Sequence, residues 1–225
     1  MFILLLALML IQPARSVPEA LKPVVKAELE HLAHKDVLTE VDEPTDWVNQ
    51  MSIAEKKSGH VSICIDPGPL NKALKREHYT LPVLNDILPE LTKATRFSIC
   101  DLKDGYLHCA LNDESSKLTT FATPWGRYRW KRLPFGLKVS SEIFQKRLHQ
   151  ALGGLDGVRC VADDIIIWDK DDEGHSQRVR KLLQRCKELG IVLKKEKSHF
   201  CVSEVPFLGH IVSMDGLKPD PSKIN

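Results

Sequence analysis

Two neighbouring aspartates, Asp163 and Asp164, stand between apolar arms in the segment VRCVADDIIIWDK (Val158–Lys170). A charged pair beside a core costs free energy unless something offsets the charge. Successive side chains on a strand point to opposite faces, so two adjacent acids in mid-strand would leave one in the core. At a hairpin tip that alternation breaks and both can reach one side, with Cys160-Val161 and Ile165-Ile166-Ile167 as anchors. Taken alone, Asp-Asp at a turn is also ordinary turn chemistry. A third acid adds weight. Asp101 ends another apolar run, Phe97-Ser98-Ile99-Cys100. If the two elements are sheet neighbours, Asp101 and Asp163 converge. Clustered carboxylates repel one another unless a cation neutralises them, and hard oxygen donors suit Mg²⁺ best. Two such ions about 3.5–4 Å apart are the arrangement used for in-line phosphoryl displacement.

The elements that must position these acids are readable from periodicity. Residues 18–34 carry Leu21, Val24, Val25, Leu29 and Leu32 near helical spacing. Residues 44–50 read as a loop. Val61–Asp66 reads as a strand closed by a turn at Pro67-Gly68-Pro69. A short helix over Pro82–Leu91 precedes the strand Arg96–Leu102, and Pro124-Trp125-Gly126 marks a hairpin between Thr119–Phe121 and Arg127–Leu133. Ile143, Phe144, Leu148, Ala151 and Leu152 form one helical face, stopped by Gly153-Gly154. Val158–Trp168 reads as strand, turn, strand. A helical stripe of Val179, Leu182, Leu183, Cys186 and Leu189 ends at Gly190, and Phe207–Val212 is a last short strand. The order predicts an α+β domain with helices covering one face of a mainly antiparallel sheet.

Composition narrows the class. Lys plus Arg total 32 against 30 Asp plus Glu, so any basic groove for nucleic acid has to be local. The alternation Arg127, Arg129, Lys131 beside Arg132 is one candidate for tracking phosphates, although such a run is more often a solvated face. The six cysteines include no C-x-x-C pair and read as small buried hydrophobes in a reducing compartment. Cys186, His199 and Cys201 lack a zinc-ligand spacing. The apolar start MFILLLALMLI, followed by Gln12-Pro13 and Ala14-Arg15-Ser16, has the form of a secretory h-region, but it is short for a membrane span and lacks a basic n-region. Residues 1–17 are read as an incidental segment, signal-like or a gene-model artefact, apart from the domain at 18–225. Secretion, with a mature start near Val17, is the competing reading.

From about Pro18 onward the chain resembles the reverse transcriptase of gypsy-type long-terminal-repeat retrotransposons. FSICDLKDGY resembles the first palm motif, LPFGLKVSSEIFQ the second, CVADDIII the third, LGIVLKKEKSHF the fourth and FLGH the primer grip, after a fingers segment ICIDPGPLNKALKREHY. The resemblance implies a right-hand polymerase fingers and palm, an antiparallel palm sheet backed by helices, with thumb, RNase H and integrase absent. It implies an RNA-directed DNA polymerase that adds dNTPs to a primer 3′-hydroxyl on an RNA or DNA template. Two Mg²⁺ ions, or Mn²⁺, would be held by Asp101, the Leu102 carbonyl, Asp163 and, less directly, Asp164. Tyr106 would be the steric gate against a ribose 2′-hydroxyl, although a core tyrosine is an equal reading of the residue alone. Phe135-Gly136 would approach the new base pair, Gln145 would lie near the template side, and Lys197 would protonate pyrophosphate. Lys194, Lys195 and Lys197 also read as a solvated basic patch. No membrane association is expected, and the cytoplasm or nucleus is the expected compartment.

Three positions depart from the family pattern. Ser62 stands where an arginine would contact the triphosphate, a charge-assisted bond worth about 2–3 kcal/mol, with Lys56 and Lys57 nearby as partial substitutes. Ser141 stands in place of proline, and Val161 in place of a frequent tyrosine. Ser62, the expected absence of a thumb and the low net charge keep open a second expectation, a catalytically silent remnant that at most binds nucleic acid.

Overall fold

The computed structural model describes residues 10–55 and 59–223. Most of the apolar start, Lys56, Lys57 and Asn225 lie outside the described residues. In chain order come β1 (Leu10–Ile11), α1 (Lys22–His34), β2 (Leu38–Glu40), β3 (Trp47–Glu55), β4 (Val61–Asp66), α2 (Gly68–Ala73), α3 (Leu84–Leu91) and β5 (Arg96–Leu102). Next are α4 (Asp113–Leu118), β6 (Phe121–Thr123), β7 (Gly126–Trp130), α5 (Ser140–Leu152), β8 (Val158–Val161), β9 (Asp164–Asp169) and α6 (Asp172–Leu189). The chain closes with β10 (Leu193–Val202), β11 (Glu204–Phe207), β12 (His210–Ser213) and β13 (Gly216–Pro219). Two compact units result. One takes in the described residues up to His78 together with Tyr106–Ser141, and the other takes in Tyr79–Gly105 and the described residues from Glu142 onward.

In the first unit, a sheet runs in the order β1-β3-β6-β7-β2, with β4 also paired to β3. The pairs β1–β3 and β3–β6 are parallel, and the others are antiparallel. Alternation on β4 buries Val61, Ile63 and Ile65 and turns Ser62, Cys64 and Asp66 outward. Buried Val25, Leu29 and Leu32 of α1, buried Trp47, Val48 and Met51 of β3, and Phe121, Tyr128 and Trp130 supply the apolar core of this unit. Of the loop expected over 44–50, residues 44–46 are irregular as read, and residues 47–50 are the start of β3. Its polar Glu-Pro-Thr-Asp lead hides a strand whose Trp47, Val48 and Met51 are buried. The turn expected at Pro67-Gly68-Pro69 is the start of α2, where a proline in the first turn suits helix initiation.

The described part of the N-terminal segment is not apart from this unit. Leu10 and Ile11 pair in register with Trp47 and Val48, and the Gln12 amide donates to the Val48 carbonyl at 2.8 Å. The Arg15 guanidinium donates to Gln50 Oε1 at 2.9 Å and to Asp66 Oδ2 at 3.2 Å, and Val17 is buried.

The second unit holds an antiparallel sheet, β10-β5-β9-β8, and a small meander of β11, β12 and β13. Both faces of β5 and β9 are covered. Phe97, Ile99, Ile166 and Trp168 share a core with Ile87 and Leu91 of α3 and with Val205, Phe207 and Val212 of the meander. On the opposite face Ser98 bonds His175 of α6, and Cys100 lies near Cys186 of the same helix. Gly190 ends α6 in the left-handed conformation, φ 67°, as its sequence position predicts. All six cysteines are free thiols. Burial raises the thiol of Cys100 to about 12 and those of Cys160 and Cys186 to about 11, whereas Cys201 is exposed.

Two elements here differ from the sequence expectation. The span Phe207–Val212 is not one strand: Leu208 and Gly209, with φ of 49° and 77°, turn the chain between Phe207 and its partner His210. Strand β10 gave no strand signal because LKKEKSHFCV is highly charged. It is an edge strand, where lysines are tolerated and guard against pairing with another chain. Its pairing with β5 is broken. Lys194 sits opposite Asp101 and His199 opposite Ile99, so residues 195–198 bulge opposite Cys100, closed by a Ser198 Oγ bond to the Lys194 carbonyl at 2.7 Å. Among the described residues no helix is long and apolar enough to cross a membrane.

A chain starting at Pro18 loses the β1–β3 pairing, the Arg15 contacts and the buried Val17. Burial of one valine and a few surface bonds together are worth about 2 kcal/mol. The melting temperature of the truncated chain is therefore expected to fall by several degrees below that of the full chain, about 4–8 °C. Identical melting curves would refute the structural role of residues 10–17.

Candidate active site

The two apolar strands that end in acids are direct neighbours. Strands β5 and β9 pair from Arg96↔Asp169 through to Asp101↔Asp164. Asp101 follows Phe97 and Ile99 on the period-two face, and Asp164 precedes Ile166 and Trp168 on that same face. The buried cluster beneath fixes both carboxylates at the end of the sheet. Asp163 occupies the tip between β8 and β9, and its carbonyl accepts the Leu102 amide at 2.8 Å. The strand pairing thus sets Asp101 directly opposite Asp164, with Asp163 next to it in the tip.

The tip is tight. Val161 pairs with Asp164, leaving a two-residue turn of Ala162 and Asp163, with Ala162 at φ 51°. A positive φ at the first central residue suits the twist of a hairpin but strains a residue other than glycine. Gln145 of α5 holds this turn. Its Nε2 donates to the Cys160 carbonyl at 2.8 Å, and its Oε1 accepts the Ala162 amide at 2.9 Å. Gln145, expected near the template side, is 1% exposed. Its side chain is committed to the backbone beside the acids. Gly105 is a second contributor that the sequence reading missed. A Cβ there would stand 2.3 Å from Asp163 Oδ1 and 2.9 Å from Phe144 Cζ. Only a glycine lets the backbone pass so close to that carboxylate, and its position within FSICDLKDGY was the available signal.

The electrostatics are those of crowded like charges. Burial first, and then the charges of Asp101 and Asp163, hold the Asp164 carboxyl above its ordinary value, while Lys197 and Lys194 act against this. Lys194 Nζ donates to Asp101 Oδ1 at 2.6 Å and Lys197 Nζ reaches Asp101 Oδ2 at 3.5 Å. Burial disfavours the charged form of Lys194, yet the hydrogen bond and charge of Asp101, with Asp163 and Asp104, hold its pKa above the usual lysine value. Among the described residues no three acidic, His or Cys side chains are grouped so as to hold one ion. Oxygen-only donors, mutual repulsion and ammonium groups already drawn onto Asp101 nevertheless fit a site that favours cations.

The remaining expected residues belong to the first unit. Tyr106 is half-buried rather than a core residue. Its ring lies against Phe135 with centroids 4.7 Å apart, and its hydroxyl meets Ser141 Oγ at 2.7 Å. Serine at 141 thus supplies a partner that proline could not. Phe135 is 45% exposed. Gly136 has φ 98°, a Cβ there would meet the Ile65 carbonyl at 3.1 Å, and its own carbonyl accepts from Asn71 at 3.0 Å. The basic run is engaged within its own unit: Arg127 donates to the carbonyls of Asp42 and Glu43, Arg129 pairs with Asp113 and Lys131 with Asp36. It is chiefly a charged face satisfied by neighbours.

Residues 28–212 match the profile of the family described as "Reverse transcriptase (RNA-dependent DNA polymerase)". The chain belongs to the reverse transcriptase family. An uncharacterized protein of Caenorhabditis elegans is 37% identical over 213 residues, 93% of this chain and 17% of that one. The enzymatic polyprotein of cauliflower mosaic virus (strain Strasbourg) is 34% identical, over 74% of this chain and 25% of its own. The retrovirus-related Pol polyprotein from transposon 412 of Drosophila melanogaster is 34% identical, over 72% and 13%. The chain thus spans a quarter or less of the length of these relatives. Among solved structures, the foamy viral protease–reverse transcriptase in complex with double-stranded DNA superposes with a TM-score of 0.83 at 21% identity, covering 94% of this chain and 37% of that one. The same viral protein in complex with an RNA/DNA hybrid gives 0.84 at 20% identity, covering 97% and 29%. The fold is that of reverse transcriptase fingers and palm, an α+β fold with antiparallel strands backed by helices.

Two predictions follow from the reverse transcriptase tip. Gln145→Leu keeps the bulk but leaves the buried Cys160 carbonyl and the part-buried Ala162 amide without the Gln145 bonds, which costs about 2 kcal/mol, read as a lower urea midpoint with an unchanged slope. For Asp164 the sign is set by its raised pKa: the folded state binds its proton more tightly than the unfolded chain. Its contribution is full below 3.8 and is lost as pH rises through the raised folded value. In chelator-treated buffer, Asp164→Asn should melt higher than the parent at neutral pH, and the gap should close in acid. A gap independent of pH would contradict the assignment.

Proposed function

We propose that this chain is the fingers and palm part of a retrotransposon-derived RNA-directed DNA polymerase, extending a primer 3′-hydroxyl with dNTPs on an RNA or DNA template. The observation that carries this reading is the in-register pairing of Asp101 with Asp164 beside the Asp163 tip. Asp101, the Leu102 carbonyl, Asp163 and Asp164 would hold divalent ions, Mg²⁺ or Mn²⁺. Ions held there would supply activation of the primer hydroxyl and neutralisation of the leaving pyrophosphate. The protein's own work is then to hold the carboxylates. Gln145 and Gly105 set the tip, and the core under β5 and β9 keeps it from shifting. Tyr106, steadied by Phe135 and Ser141, is the steric gate in this reading, with Phe135-Gly136 as the flat surface beside the new base pair. Lys197 is the proton donor to pyrophosphate, suited to that task by its exposed position on the β10 bulge. The residues of FLGH turn at Leu208-Gly209 and serve as the primer grip. A cytoplasmic or nuclear location goes with this chemistry, since template and dNTPs are there.

One observation favours a second reading. Ser62 lies on the outward face of β4, where the family carries an arginine, so triphosphate binding is weakened. In that reading the chain binds nucleic acid without incorporating nucleotides. Primer extension by the full chain on an RNA template separates the two. Polymerase activity should require a divalent ion and fall roughly 100-fold or more in Asp163→Asn. Salt-dependent filter binding with equal, background incorporation by both proteins would establish the second reading and refute the first.

A further inference from the structure

Strand pairing places Lys194 directly opposite Asp101, on the regular part of the β5–β10 ladder. Its Nζ donates to Asp101 Oδ1 at 2.6 Å, and the two side chains are only 27% and 17% exposed. Lys197 differs. It approaches the other oxygen at 3.5 Å from the bulge and is 61% exposed. Lys194 is therefore the positioned partner and Lys197 the loosely held one. An ammonium group and a divalent cation compete for the same lone pairs, and each positive charge nearby also repels the ion.

We infer that Lys194 is a built-in counter-ion: it holds Asp101 while no divalent ion is bound, and it must release that oxygen for an ion to enter. It thereby sets the divalent-ion concentration at which the site fills. This rests on the reading of Asp101, Asp163 and Asp164 as an ion site. Lys194 is then a positioning residue, and its charge rather than its bulk matters. The three carboxylates tolerate one another in the ion-free protein because ammonium groups share the space. Its removal leaves a more negative site that is less stable when empty and takes up ions more avidly.

The test uses the full chain and Mn²⁺ alone, with free Mn²⁺ followed by electron paramagnetic resonance in chelator-stripped buffer. Lys194→Met, which keeps most of the side-chain length, is expected to bind Mn²⁺ roughly three- to tenfold more tightly than the parent. Lys194→Arg, which keeps the charge, is expected to match the parent within about twofold. In chelator, Lys194→Met should melt lower than the parent and regain the difference when Mn²⁺ is added. Should Lys194→Met not fold, Lys194→Gln is measured in its place. Parent-like or weaker Mn²⁺ binding by the neutral variants overturns the inference while leaving the ion site intact. Parent-like binding by Asp163→Asn overturns the ion site itself, and the inference with it.

Discussion

Mutual repulsion among three carboxylates is the constraint around which the second unit is built. Asp101 and Asp164 are forced together by a cross-strand pair, and Asp163 is presented beside them by a turn with no spare residue. Every neighbouring feature answers that crowding. The strands beneath are buried on both faces, so the acids cannot retreat by shifting register without taking Phe97, Ile99, Ile166 and Trp168 out of the core. Gln145 satisfies the backbone of the turn, Gly105 makes room for one carboxylate, and two lysines lend positive charge. Removing any one of these supports exposes the same underlying cost.

The first unit has a different logic. Its sheet is held by mixed pairing, and its family-specific residues are set by local backbone needs. Gly136 is required by a close approach to the Ile65 carbonyl and by its positive φ, and Asn71 ties the same segment through both ends of its amide. Ser141, a departure from the family pattern, bonds the Tyr106 hydroxyl. Ser62, another departure, lies on the outward side of β4.

Much of the second unit was legible in the sequence because its signals are local. Phe97–Cys100 and Ile165–Ile167 are apolar runs with acids at their ends, and Gly190 marks a helix stop. The convergence of Asp101 with the tip followed from the assumption that those runs are neighbours. What escaped was set by tertiary context. Strand β10 is too charged to look like a strand and exists because β5 offers it an edge. The start of β3 is masked by Glu-Pro-Thr-Asp. Resemblance puts Gln145 near the template side; its burial and its two bonds to the turn backbone are tertiary features that no periodicity announces. The Leu208-Gly209 turn was missed because a leucine in the left-handed region is a poor turn signal.

The break in the β5–β10 ladder separates two kinds of motion. Residues 195–198 have no register partners on β5, while Lys194 and Leu193 before them do. Local opening of an edge bulge breaks few backbone bonds and uncovers little apolar surface, so it occurs far below the free energy of global unfolding. The bulge can therefore breathe, carrying Lys197 with it, on a time scale that the buried floor of the sheet does not share. One end of the strand behaves as part of a rigid frame and the middle as a tethered arm, which lets a single short segment combine a fixed charge with a travelling one.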